Sequence, residues 1–465
     1  MPYFLLFLTY IIWRMFFIPL PEIGDRNTPV ILYELFSNTL KTLLHLIEVI
    51  IQDLIHATVY SWSETINPSS FDFNRPAWIG SWVISFVAAA ALYVLFSRIR
   101  KNDIQEEKDS SWVRSFLMVG FLATIFGALP GWLIGQQIYN PKSLWSDRFA
   151  LPVLIGASIL AIGLIEVFFQ NKKFQTIIFC GLILLGVSNN IRLANEYRWS
   201  WTKQNRFYWQ LLWRAPGLEP GTAIFAEGDI FNYMGHYPTS YAINFLYPPG
   251  EDPSVLNYWF FPLSRGLGGS FEEAKKGMEI FAEHRSSSFT GNSRDGIAIY
   301  YLPENGYCLW VLDPLDKMNP EIPDITKEIV EISNLERIKP TSFSSAYPPP
   351  GLLMEEPEHT WCYYYQKAEL ARQMQDWEQI LTYWDITEAN GFRTNNTIEL
   401  VPFIEAFANS NEWTRAFEIT MDAKTFTEKA YPFLCSIWAN IERTTSSSEQ
   451  SEDILNSIWE ELNCN

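Results

Sequence analysis

Before position 191 the chain is a series of long apolar runs, and this limits its first part to very few folds. The runs are Tyr3–Leu20, Leu40–Trp62, Ile79–Phe96, Phe116–Ile138, Ala150–Phe169 and Phe174–Asn190. Each has about the 17–25 residues that a helix needs to cross hydrocarbon. Inside a bilayer every backbone N–H and C=O must be paired within the protein, so runs of this length predict an α-helical bundle. We expect about six spans over 1–191, with Pro130-Gly131 tolerated inside the fourth. Beyond Ile191 apolar residues are scattered and charge is frequent. Most of the formal net charge of −18 falls there. An acidic surface lacks the clustered Lys and Arg that a nucleic-acid footprint requires, so the expected partner is the lipid bilayer and not nucleic acid.

Basic residues set the orientation. Arg98, Arg100, Lys101, Lys108 and Arg114 crowd one loop, which should be cytoplasmic. The C-terminal half then faces outward, giving a multi-pass cell-membrane protein with an extracytoplasmic half. Arg192, Arg198, Lys203, Arg206 and Arg214 oppose this by following the last span. They alternate with Tyr197, Trp199, Trp201, Trp209 and Trp213. The segment 192–215 therefore reads as an interfacial helix, with cations on lipid phosphates and rings at headgroup level.

In the second run Lys41, His45, Glu48, Gln52 and His56 recur at steps of three or four, continuing from Glu34 and Asn38. That spacing puts them on one face of a helix. One reading is an amphipathic helix lying in the interface. The other is a spanning helix whose polar stripe lines a hydrophilic cavity. His45 and His56 are about 16 Å apart along such a helix, too far to share a metal. No metal site and no cofactor is evident in the sequence.

The rest divides into a small α/β domain over 216–339, a Pro/Ser-rich connector over 340–357 and a helical, repeat-like domain over 358–465. Thr222–Ala226 predicts a buried strand, Gly228–Tyr237 and Glu272–His284 predict helices, and Gly296–Leu302 with Tyr307–Leu312 predicts a hairpin turning at Pro303–Gly306. In the last domain Tyr363–Met374 pairs with Asp376–Asn390, Leu400–Asn409 pairs with Glu412–Asp422, and a third pair is expected from Ala430 to Leu462. Asp376-Trp377 and Glu412-Trp413 occupy matching turns 36 residues apart (376 to 412). The period is near that of tetratricopeptide repeats, which present surfaces to protein partners. Four cysteines, Cys308, Cys362, Cys435 and Cys464, lie in the soluble half, where disulfides form outside the cytoplasm. We expect a bridge between Cys308 and Cys362 across the connector.

The one motif with catalytic potential is Ser146-Asp147-Arg148-Phe149-Ala150-Leu151-Pro152, at the mouth of a span. Arg148 could bind a phosphate and Asp147 could orient a hydroxyl; equally, Arg148 reaches headgroups and Asp147 pairs with it. The run Arg148-Phe149-Ala150-Leu151-Pro152 resembles the Arg-aromatic-x-Leu-Pro motif of GT-C type membrane glycosyltransferases. In those enzymes the motif opens a late span, and the last spans lead to an extracytoplasmic α/β domain. The resemblance covers about Phe116–Tyr301. It implies a C-terminal portion of a lipid-linked-sugar transferase, with a polyprenyl-phosphate sugar as partner and Asp147 and Arg148 as site residues. The segments Tyr208–Pro216, Cys308–Asp313 and Trp361–Tyr364 are those in which the soluble half resembles bacterial membrane proteins that join such a span bundle to tetratricopeptide-like helices. GT-C enzymes keep catalytic carboxylates in their first outward loop; here Glu22, Asp25 and Arg26 stand there without a paired-acid motif. The alternative is a non-catalytic, membrane-anchored scaffold that binds a partner through its C-terminal helices.

Overall fold

The computed structural model describes residues 5–464 except 7–8, 11, 14–29, 72, 103–110, 139–145, 229, 264–270 and 342–347. The chain forms two compact units, Met1–Glu196 and Tyr197–Asn465.

Among the described residues five helices are long and apolar enough to cross a membrane: Thr39–Ile66, Pro76–Ile99, Trp112–Leu133 and Arg148–Phe168 in the first unit, and Lys172–Arg214, which begins there and ends in the second. Most of the expected first span, Tyr3–Leu20, lies outside the described residues. Small residues set the packing of the third helix on the fourth. A Cβ on Gly120 would come within 2.6 Å of the Leu160 backbone nitrogen, and one on Gly127 within 2.6 Å of the Pro152 carbonyl. One on Gly156 would collide with the Thr124 backbone. Lipid tails are as apolar as leucine, so spanning helices associate through such close backbone approach.

The last helix runs unbroken over Lys172–Arg214, 43 residues and about 65 Å long at 1.5 Å per residue. Its end corrects the interfacial reading of 192–215. Tyr197, Trp199 and Trp201 are exposed, but Phe207, Tyr208, Leu211 and Arg214 are buried in the second unit. Trp213 is buried too and donates to Glu356 Oε1 at 2.8 Å. This half of the helix is core because its apolar positions meet a sheet.

That sheet has four strands in the order Tyr258–Pro262, Thr222–Ala226, Gly296–Tyr300 and Trp310–Leu312. The first three are parallel and the last is antiparallel, closing the expected hairpin with Ala298 opposite Leu312. Side chains alternate between faces with the period of two that a pleat imposes. Ile224, Phe260, Ile297, Ile299 and Val311 pack with Phe207 and Leu211 of the long helix. Ala223, Phe225, Trp259, Ala298 and Trp310 pack with the C-terminal helices. Both faces are covered, as parallel sheets require.

Two expected helices give way. His236–Asn244 is the helix that links two strands, and it starts eight residues later than expected from Gly228. Phe271–Lys276 is helical, but Gly277 at φ +89° ends it. The residues after it, Glu279–His284, pair with Ser287–Asn292 as an antiparallel ribbon.

The C-terminal helices come as three consecutive pairs: Trp361–Gln373 with Trp377–Asn390, Val401–Asn409 with Trp413–Lys424, and Tyr431–Thr444 with Glu449–Glu461. Gln375 and Asn411 turn the first two pairs with φ of +57° and +63°, so the matching turns share one backbone shape. These helices do not form a core of their own. They continue the core of the sheet, and 216–339 and 358–465 are parts of one unit.

Candidate functional site

The polar stripe of the first unit splits. Lys41, His45, Glu48 and Gln52 are exposed along one face, with Gln52 Nε2 donating to Glu48 Oε1 at 3.5 Å. His56 is half-buried and stacks on Tyr60 with ring centroids 5.0 Å apart. The packed face beside the stripe carries Thr42, Val49, Ala57 and a carboxylate that the stripe did not include, Asp53. Asp53 is 1% exposed and accepts from the Trp132 indole at 2.7 Å and the Ile138 backbone N–H at 3.0 Å. An Asp in an apolar span was itself the signal for it. Arg192, expected at headgroups, is buried. It donates to Ser188 Oγ at 2.6 Å and to the Thr65 carbonyl at 3.2 Å, with its guanidinium 5.3 Å from the Trp78 ring and 5.2 Å from the Trp82 ring.

Asp147 and Arg148 lie in the single turn Ser146–Ala150 that opens the fourth helix. Arg148 is exposed, its guanidinium 5.1 Å from the Phe149 ring centroid. The side chain of Asp147 lies outside the described residues. Among the described residues no group of three or more His, Cys, Asp or Glu is placed to hold a metal.

The second unit holds a more developed constellation. Arg372, near the end of Trp361–Gln373, gathers three carboxylates from three parts of the chain. Its Nε and Nη2 donate to both oxygens of Glu405, on Val401–Asn409. Its Nη1 donates to Asp313 Oδ2 at 3.1 Å, just past the last strand, and lies 3.4 Å from Glu369 Oε2, one turn earlier. Burial works against the Arg372 charge, but Glu405, Glu369 and Asp313 more than offset it and hold its pKa well above the ordinary value. Burial pushes the Glu369 carboxyl up, against the pull of Arg372 and Arg214. Asp316, which accepts from the Asp313 backbone N–H at 2.9 Å, is pushed up to about 8 by burial and by the Asp313 charge.

A cleft of about 290 Å³ opens over this network. Arg214, the last residue of the long helix, lines it and is 1% exposed. Its Nη1 donates to Gln373 Oε1 at 2.9 Å. Its Nε and Nη2 have no hydrogen-bond partner among the described residues. Unpaired buried donors are rare in folded proteins and point to a water or ligand that supplies the acceptor. Gln375, Trp377, Asn409 and Asn440 line it as well. Sequence reasoning assigned Arg214 to the lipid interface and passed over Arg372, because its partners lie 59 and 33 residues away (313 and 405).

The structure joins Cys308 to Cys362, the pair expected across the connector, and also Cys435 to Cys464. Cys180 is free and buried. No family model, curated protein or solved structure matches the chain.

Proposed function

We propose that this chain is a membrane-anchored binding protein, whose second unit is a disulfide-braced, extracytoplasmic head that captures a ligand or partner. The observation that carries this reading is the Arg372 network. All three of its acids are engaged by one guanidinium, so they hold the cleft in shape and are not free for acid–base work. Arg214 lines the same cleft, with Nε and Nη2 buried and unpaired among the described residues, and a preformed lining with a few polar groups supports recognition. Two disulfides in the same unit support an outward location, since such bonds persist in oxidising compartments. The paired helices with their repeated turn support a tetratricopeptide-like surface, suited to a protein partner.

The second reading is a GT-C-like transferase that moves sugar from a polyprenyl-phosphate carrier. The motif Arg148–Pro152, at the start of a candidate span, favours it. Incubating the purified full chain with a polyprenyl-phosphate-linked sugar and a hydroxyl acceptor to take the sugar (an added saccharide or water) separates the two. The binding reading expects no release of polyprenyl phosphate. Release that is lost in both Asp147→Ala and Arg148→Ala would replace it with the transferase reading.

A further inference from the structure

We propose that the cleft over Arg372 takes a neutral saccharide, one or two sugar rings in size. This deepens the binding-head reading and rests on it. The charge pattern decides the ligand class. A simple anion would be drawn by the Arg214 and Arg372 charges but meet Glu369, Asp313 and Glu405, which line the same space. A simple cation would gain those acids but meet two guanidinium groups. A hydroxyl donates and accepts, so a neutral polyol satisfies both sets at once without bringing a charge of its own. It can donate to carboxylate and amide oxygens, and it can accept from the buried Arg214 only through an intervening water, because the free Arg214 donors are sealed from solvent.

The rest of the lining is suited to the same chemistry. Gln375, Asn409 and Asn440 carry amides there; Asn409 Nδ2 already donates to the Glu405 carbonyl at 2.8 Å and Asn440 Oδ1 accepts from Arg443 at 2.8 Å, which orients both and leaves the Asn409 oxygen and the Asn440 NH2 to meet hydroxyls. Trp377, half-buried beside them, supplies an apolar ring face for the C–H side of a pyranose. The size agrees: about 290 Å³ lies at the lower end of small-molecule sites and suits a short saccharide better than a chain. The site is also preorganised. Arg372 is fixed by four hydrogen bonds or close contacts to Glu405, Asp313 and Glu369, and Gln373 is fixed by donating to the Leu335 carbonyl at 2.6 Å. Little ordering cost then remains for binding.

The test is titration calorimetry on the full chain in a detergent without sugar groups. The probes are hexoses, N-acetylhexosamines and their disaccharides, with inorganic phosphate and free lysine as charged comparators. The expected result is saturable saccharide binding, weakened about tenfold or more by Trp377→Ala. Because Trp377 also packs on the core, Gln375→Ala and Asn440→Ala form a second arm; they should weaken binding with the melting temperature unchanged. Binding of phosphate or lysine in place of every sugar would overturn the saccharide and leave the binding head standing. No heat with any sugar, or sugar binding that all three variants leave unchanged, would also overturn it. The lipid-linked donor assay is read separately, so failure here and failure of the binding reading are distinct results.

Discussion

Glu399 Oε2 accepts a 2.7 Å hydrogen bond from the indole of Trp361, and the same carboxylate reaches back to the sheet. Its Oε1 accepts from the Cys308 backbone N–H at 2.8 Å and from the Trp310 indole at 3.3 Å, and Thr394 Oγ1 donates to Oε2 at 2.8 Å. Four donors meet one acceptor-only group that is 1% exposed. Glu399 thus fastens the strand Trp310–Leu312 to the first helix pair beside the disulfide, through Cys308 itself, Trp310, and Trp361 next to Cys362. Glu399→Gln puts an NH2 where two donors already point. We expect it to lower stability by about 2–4 kcal/mol, as loss of a satisfied buried carboxylate does. Denaturant unfolding followed by tryptophan emission measures this, and a change below about 0.5 kcal/mol would contradict the role given to Glu399.

The two disulfides should differ little in weight. With sequence separations of 54 and 29 residues, chain entropy assigns about 4 kcal/mol to Cys308–Cys362 and roughly 3.5 kcal/mol to Cys435–Cys464. Replacing Cys308 and Cys362 together by Ser should lower the melting temperature more than replacing Cys435 and Cys464, since the first pair also sits against Glu399. Equal or reversed shifts in a thermal scan would count against that coupling.

Stability should fall as pH rises through neutrality. Asp316 is pushed up to about 8, above its ordinary value of about 3.9. The folded state therefore holds a proton that the unfolded state has lost, and the linkage slope is negative between those values. The contribution is fully present below about pH 4, declines through the window and levels off above about 8. Glu369, also raised chiefly by burial, acts in the same direction. Asp316→Asn keeps an oxygen for the Asp313 N–H and should flatten the decline. Melting temperatures between pH 5 and 8.5 read this out, and a variant that tracks the native chain would disprove the assignment.

In the first unit Gly156→Ala should separate the third and fourth helices, because the added methyl meets the Thr124 backbone. Overpacking of this kind costs about 1–3 kcal/mol. Gly181→Ala, with nothing near its Cβ position, is the control. Heat-induced aggregation in detergent should start earlier for Gly156→Ala alone.

Much of the fold was legible because its signals are local. Length and hydropathy marked the apolar helices, short apolar runs and turn residues marked Thr222–Ala226 and the hairpin, and the 36-residue spacing marked the helix pairs. What failed depends on distant partners. Glu272–Lys276 has helix-forming residues, but Glu279–His284 becomes a strand only because Ser287–Asn292 lies opposite it. The long helix shows rings and cations along 197–214, and nothing local distinguishes the exposed Trp199 from the buried Arg214. The cleft was illegible for the same reason. Arg214, Asp313, Arg372 and Glu405 converge through tertiary packing, whereas Asp147 and Arg148 stand out in the sequence because they are adjacent.

The central claim is that the second unit is an outward-facing head closed by two disulfides. Sealed, right-side-out membrane vesicles test it with an impermeant maleimide, applied before and after an impermeant reductant. The account predicts no labelling of Cys308, Cys362, Cys435 or Cys464 at first and, after reduction from outside, labelling of the half-buried Cys362, Cys435 and Cys464, with Cys308 shielded by its burial. Labelling without reductant, or protection that persists until the vesicles are opened, would contradict it.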